Sequence, residues 1–352
     1  MKVKIIGAGS IGNHLAHAAR RMDWEVTVVD FDLRALKRMR EEIYPTRYGA
    51  WDPTITLVES KDEPRGGFDI IMIGTPPNVR MELALEALAE KPRLLQLEKP
   101  LCAPDMGGFL DFYDKATRQQ HETSVILGYD HAISSSIALV TRLLQTGGIG
   151  GVKTIDVEFR EHWGGIFKAH PWLSGPEDSY LGHRSRGGGA SGEHSHALHL
   201  WQYLASISGF GEWIHCSYAL DMVQVPHGEY DSIASFSFLT DRHKVGRVVQ
   251  DVVTYPSRKW ARVQGATGFI EWQCESPQLD TVRWSVAGGL SEEQFSKNRS
   301  DDFFREMMHI EQILKGNIDP KKSPVSLTSG VRVMYVLSAV YRDGGAVGSV
   351  QI

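Results

Sequence analysis

The sequence predicts a doubly wound α/β domain followed by an α+β domain with a large, mostly antiparallel open sheet. Three observations carry that prediction. Short β-branched runs alternate with helical stretches over residues 1–127, the pattern of crossover units on a parallel sheet. From about residue 129 the pattern changes to successive alternating strands joined by short turns. The length of 352 residues exceeds what one hydrophobic core usually supports, about 250–300 residues. The boundary is placed at 127/128, giving domains over 1–127 and 128–352.

In the first domain, residues 3–6 read as a strand, 11–22 as a helix, 25–30 as a second strand and about 33–43 as a charged helix. An apolar strand follows at 69–74, a helix at 79–90, and short strands at 94–97 and 124–127. In the second domain a helix near 134–146 ends in the cluster Gly147, Gly148, Gly150 and Gly151. Strands then follow at 154–160, 212–220, 232–240 and 245–253, and from 261–264 on to Trp272. One face of such a sheet needs a cover, and helices around 198–206, 302–314 and 329–341 are the candidates.

Composition narrows the function classes. A net charge of −5 with 23% charged residues leaves no basic footprint for nucleic acid. The three cysteines, Cys102, Cys216 and Cys274, are unclustered and odd in number, so they build neither a disulfide framework nor a zinc knuckle. No apolar run approaches the ~18 residues of a membrane span, and the first residues lack the architecture of a secretion signal. A cytoplasmic protein with no membrane partner is expected.

The turn Gly7-Ala8-Gly9-Ser10-Ile11-Gly12 lies between a β-branched strand and an amphipathic helix, and Asp30 ends the next strand. That context gives the glycine spacing its meaning. The first glycine permits the tight turn, the second lets backbone approach a pyrophosphate, and the third lets helix pack closely on sheet. The helix N-terminus, with Ser10 and Ile11 in its first turn, offers N–H groups and a positive dipole end to phosphates. Asp30 is suited to accept from the adenosine ribose hydroxyls, and a 2′-phosphate would meet its like charge. NAD is therefore expected over NADP, with Arg34, Lys37 and Arg38 close enough to soften the preference. The first domain is thus read as a Rossmann domain.

Two further strand ends reach the same edge. The strand at 69–74 leads into Thr75-Pro76-Pro77-Asn78, where a parallel strand meets the cofactor crevice. The strand at 94–97 delivers Glu98, Lys99 and Pro100. A lysine beside a nicotinamide could hydrogen-bond a substrate hydroxyl and stabilise a developing alkoxide. In the second domain, residues 160–186 are rich in polar and aromatic groups, among them His162, Trp163, His170, Trp172 and Arg184, which suit a sugar-like ligand.

In order along the chain, the glycine turn, Asp30, Thr75-Pro76-Pro77, Glu98-Lys99-Pro100-Leu101, Gly128-Tyr129, and Gly187-Gly188-Gly189 followed by a histidine helix make a sequence that resembles the Gfo/Idh/MocA oxidoreductases. The segment Gly265-Ala266-Thr267-Gly268-Phe269-Ile270-Glu271 extends the resemblance through the second domain. It implies NAD(P)-linked hydride transfer at a hydroxyl-bearing carbon of a sugar, cyclitol or sugar derivative. Cofactor contacts would come from Gly7, Gly9, Ser10, Ile11, Gly12, Asp30, Thr75, Pro76, Glu98 and Lys99. Lys99 would be catalytic, and the second domain would bind substrate and build a homodimer or homotetramer.

The family's second element, a glycine run followed by Asp-x-x-x-His, is altered. Aligning His196 on the family's histidine leaves one residue missing after the glycines. Glu193 then stands three residues before it, and His199 replaces the usual later Asp. On one helix Glu193 and His196 share a face. Glu193 could therefore orient His196, which takes the acid–base role, while His196, His199 and Lys99 would also touch substrate. No metal is expected: His194 and His196, two apart, point to nearly opposite sides of a helix, and His196 with His199 lacks further ligands of recognisable spacing. Two alternatives stand beside the dehydrogenase: an NAD-responsive binding protein without chemistry, and a reductase of an imine or unsaturated bond.

Overall fold

In the computed structural model, which describes residues 1–168 and 170–352, Lys2–Ile6 forms β1 and leads through the glycine turn into α1, Ser10–Arg21. Leu15, Ala16, Ala18 and Ala19 of α1 are buried, and Arg20 and Arg21 close its last turn, where cations complement the helix dipole. Then come β2 (Glu25–Asp30), α2 (Leu33–Arg38), a π-helical turn (Met39–Ile43), α3 (Tyr44–Tyr48) and β3 (Thr56–Glu59). The remaining elements of this sheet and its covers are β4 (Ile70–Ile73), α4 (Pro77–Ala89), β5 (Leu94–Leu97), α5 (Phe109–Arg118) and β6 (Ser124–Leu127). The helix expected at 33–43 is therefore three pieces running on to Tyr48, and β3 and α5 were not anticipated.

The six strands pair in parallel in the order β3-β2-β1-β4-β5-β6. Every residue of β4 and β5 is buried, as a sheet covered on both faces requires. Register aligns the strand ends: Ile6 lies opposite Val29 and Ile73, Ile73 opposite Leu97, and Leu97 opposite Leu127. The chain order reverses between β1 and β4, which opens a crevice at the carboxyl ends of those strands.

The chain divides into two units: Met1–Cys102 with Met106–Asp130 and Ser300–Leu327, and Ala103–Asp105 with His131–Arg299 and Thr328–Ile352. The first unit thus recovers a late segment. From the helix Arg299–Leu314, Phe303 stacks on His14 with ring centres 4.5 Å apart, and Asp301 pairs with Arg21 at 3.0 Å. Farther on, Leu127 N–H donates to the Val325 carbonyl at 2.9 Å, and Ile126 bridges Ser326. The helix near 302–314 and the segment that follows it thus group with the first unit. Its apolar stripe (Phe303, Met307, Ile310, Ile313) tells that one face is buried; periodicity carries no information on what that face meets.

The second unit holds α6 (Ser135–Gln145), β7 (Val152–Arg160), α7 (Gly164–Lys168), α8 (Gly189–Glu193) and α9 (His196–Ile207). Seven strands follow, β8 (Trp213–Val225), β9 (Gly228–Thr240), β10 (Val245–Asp251), β11 (Arg258–Gly265), β12 (Phe269–Ser276), β13 (Leu279–Val286) and β14 (Gly289–Ser296). The helix Leu327–Asp343 and β15 (Val347–Gln351) end the chain. The sheet order is β14-β13-β12-β11-β7-β10-β9-β8-β15, antiparallel throughout except for the parallel pair β7 and β10.

Helices α6 and α9 cover one face. Trp201 of α9 donates from Nε1 to the Ile155 carbonyl at 2.9 Å, and a Cβ on Gly246 would lie 2.6 Å from that nitrogen. Glycine at 246 therefore admits the indole. Trp272 Nε1 donates to Ser136 Oγ at 3.0 Å, and Ser136 donates to buried Asp280 at 2.7 Å, tying α6 to the sheet. Among the described residues no helix is long and apolar enough to cross a membrane.

Candidate functional site

At the carboxyl edge of the parallel sheet the three glycines of the turn have three different reasons. Gly7 has φ +109°, a conformation that L side chains rarely adopt. A Cβ on Gly12 would run into the Gly7 carbonyl oxygen, so only glycine lets α1 start there. A Cβ on Gly9 would enter open space, with no described atom within 4 Å, and its φ of −73° suits any residue. Among the described residues no packing contact requires glycine at position 9, which fits close approach of a pyrophosphate to that backbone.

Asp30 is fixed by the turn it serves. Its carboxylate accepts from Ala8 N–H at 2.7 Å and from Asp32 N–H at 2.9 Å. A carboxylate has about four lone-pair sites, so capacity remains for two ribose hydroxyls. Arg34 is held by Asp32 at 3.3 Å, and Lys37 by Glu41 at 3.8 Å. Arg47, not anticipated from sequence, donates to Ser10 Oγ at 2.9 Å and to the Ser10 carbonyl at 3.1 Å. Ile11 is half-buried at the start of α1 and packs its β-branched side chain on Gly74.

Thr75 and Pro76 follow β4, and Glu98 and Lys99 follow β5, at the same edge. Thr75 packs against Gly7, and its hydroxyl is buried without a hydrogen-bond partner among the described residues. Glu98 is buried against Gly128, where a Cβ would come within 2.5 Å of its carboxyl oxygen. Burial pushes this carboxyl up to about 7, against the opposing pull of Arg80 and Lys99. Lys99 is half-buried, and the Lys99–Pro100 peptide is cis. Buried Arg80 of α4 donates to the Glu98 carbonyl at 2.7 Å and to the carbonyls of Pro100 and Thr75.

In the second unit His196 begins α9, half-buried. Its ring lies 5.1 Å from that of His131, nearly perpendicular, and 6.2 Å from Phe159. The helix expected to carry both Glu193 and His196 is broken: α8 ends at Glu193 and α9 starts at His196. The shared-face argument for Glu193 therefore lapses, and Glu193 accepts from Tyr180 OH at 3.4 Å. His199 is buried, and its Nε2 meets Ser329 Oγ at 3.2 Å. Arg184 is likewise buried, donating to the Val340 carbonyl at 3.0 Å. Trp163 sits in a core cluster with Leu181, Ala190 and Val252, its ring 4.6 Å from Tyr230. All three are buried and engaged within the second unit. His162 stays exposed, and half-buried His170 and Trp172 meet edge to face at 5.1 Å.

Sequence reasoning missed His131, Arg80 and Arg47. His131 lies far along the chain from His196, and no spacing rule joins them. Arg80 sits in an ordinary helical pattern, and three of its hydrogen bonds go to backbone carbonyls, which carry no side-chain signature.

No family model matches the sequence, and no curated protein matches it. Solved structures do match the fold along the full chain. An aldose-aldose oxidoreductase from Caulobacter crescentus, complexed with glycerol, shares 18% identity with a TM-score of 0.73 and covers 100% of this chain and 99% of its own. Levoglucosan dehydrogenase in complex with NADH and L-sorbose gives 16% and 0.75, covering 100% and 98%. An oxidoreductase from Agrobacterium radiobacter, in complex with NAD+, L-tartaric acid and magnesium, gives 15% and 0.76, covering 100% and 98%. The fold is therefore the one that the sequence resemblance implied, a Rossmann unit with a large, mostly antiparallel second sheet.

Proposed function

We propose that this protein is an NAD-dependent oxidoreductase that transfers hydride at a hydroxyl-bearing carbon of a sugar, cyclitol or sugar derivative. The observation that carries the reading is the edge itself: an open cradle at Gly9, a ribose-competent Asp30 and Lys99 stand on aligned ends of adjacent parallel strands. Two further supports are the resemblance and the ligands of the similar structures, among which glycerol, L-sorbose and levoglucosan are polyhydroxy compounds. When bound, NAD supplies the hydride acceptor. Gly7–Gly12 would hold its pyrophosphate, with Ser10 and Ile11 presenting the first helical N–H groups, and Asp30 would accept from its ribose hydroxyls. Thr75, Pro76 and Glu98 would border the nicotinamide end.

Lys99 would donate to the substrate oxygen and hold the charge that grows there as the C–H bond breaks. His196 would take the hydroxyl proton, a task suited to an imidazole whose ordinary pKa lies near neutrality. The decisive experiment combines calorimetric titration with NAD and NADP and a hydride-transfer screen over sugars, cyclitols and polyols. NAD should bind more tightly than NADP, and at least one polyol should reduce it. Lys99→Ala and His196→Ala should each lower kcat by at least ~100-fold while NAD still binds. A protein that binds NAD but turns over no substrate would favour the binding-protein reading, and one that binds neither cofactor would end both.

A further inference from the structure

We infer that Arg80 is a positioning residue for Lys99, an inference that rests on the oxidoreductase reading for its catalytic consequence. Arg80 is only 2% exposed. Taking a guanidinium out of water costs several kcal/mol unless its donors are satisfied in good geometry. Here both terminal nitrogens donate to backbone: Nη1 to the carbonyls of Glu98 and Pro100, and Nη2 to that of Thr75. Glu98 and Pro100 are the residues immediately before and after Lys99, so one planar group grips the chain on both sides of it. The third carbonyl ends the neighbouring strand β4, so the same group joins the Thr75 turn to the Lys99 turn.

The fold explains how Arg80 gets there. It lies in the first turn of α4, which starts at Pro77. Helical side chains lean toward the N-terminus of their helix, which for α4 is the end joined to β4 and the sheet edge. Only arginine offers several N–H groups in a fixed plane. A lysine can satisfy one or two of the carbonyls as a point charge, and glutamine has a single amide nitrogen to donate from. Since catalysis falls steeply when a reacting group is displaced by about 1 Å, loosening the chain on both sides of Lys99 misplaces its amine without removing any group that touches substrate.

The test uses the full-length protein with Arg80→Lys and Arg80→Gln; either variant suffices once its melt shows that it folds. The first readout needs no turnover: competitive amine labelling, read at Lys99 by peptide mass spectrometry against exposed Lys37, Lys61 and Lys91. The relative labelling rate of Lys99 should change by at least ~threefold, and a rate unchanged in a folded variant overturns the inference whether or not the protein oxidises a polyol. The second readout is a double-mutant cycle on kcat with NAD saturating. Arg80→Lys should lower kcat by ~30-fold or more in the native background, but by less than ~threefold in the Lys99→Ala background. Losses that simply multiply would show Arg80 acting independently of Lys99 and overturn the inference. A native protein without hydride transfer would end the oxidoreductase reading while the labelling result still decides Arg80.

Discussion

Gly9 and Gly12 lie three residues apart and ask opposite things of a side chain. A Cβ at 12 meets the Gly7 carbonyl oxygen, whereas one at 9 meets nothing. Gly12→Ala should therefore unfold or severely destabilise the first unit. Gly9→Ala should leave stability within ~0.5 kcal/mol yet weaken NAD binding by tenfold or more, about 1.4 kcal/mol, as calorimetry would record. Unaltered affinity in Gly9→Ala would take the pyrophosphate away from that backbone. Glu98 gives a second prediction, with a definite sign. Burial raises its carboxyl from 4.5 to about 7, so between those values the native state keeps a proton that the unfolded chain has released. The stabilisation is full below about 4.5 and fades as pH rises through about 7, by a shift worth of order 3 kcal/mol. Glu98→Gln cannot titrate. Its stability relative to native protein, from urea melts, should therefore be higher at pH 8 than at pH 5, and an equal difference at both would contradict the shift.

At the scale of elements, what was legible is what the chain encodes locally. Strands β2, β5 and β6 fall at the expected residues because buried parallel strands are short, continuous apolar runs. The glycine turn and the Glu98-Lys99 edge were readable for the same reason, each being a strand end with its own residue signature. Strand β14 was not readable: it is almost wholly exposed and polar, an edge strand whose Glu292 and Glu293 discourage further pairing. In the second unit, chemistry-bearing side chains were legible but their partners were not. His199, Arg184 and Trp163 are consumed by contacts from distant segments. Lys4 shows the same limit inside β1. It is fully buried and pairs with Glu63 at 2.7 Å and Glu90 at 2.5 Å, partners that no local pattern announces. Lys4→Met removes the buried cation between the two carboxylates, leaving half-exposed Arg65 at 3.1 Å from Glu63 and 3.5 Å from Glu90, and should cost ~3–5 kcal/mol in urea melts. Adding Glu63→Gln and Glu90→Gln should recover most of it; a single variant as stable as native protein would show the triad to be dispensable.

The route of the whole chain follows from which contacts are local and which are not. The first unit is built from Met1–Cys102 and Met106–Asp130 and then completed by Ser300–Leu327 after the long excursion that forms the second sheet. That return places Phe303 on His14, Asp301 on Arg21 and Val325 beside β6. A sequence cut at 127/128 therefore separates a core from part of its own cover. A fragment of residues 1–130 should accordingly lack the cover that Phe303 gives His14 and the pairing of Val325 with β6, and should unfold without a sharp cooperative transition. Adding a peptide of residues 300–327 should restore cooperativity, and the midpoint should rise with peptide concentration because the peptide binds only the folded fragment. Met307→Asp in the peptide, which places a charge at a fully buried position, should abolish the effect. A fragment that melts cooperatively alone and ignores the peptide would show that the first 130 residues are a complete folding unit and that the returning helix merely rests on it.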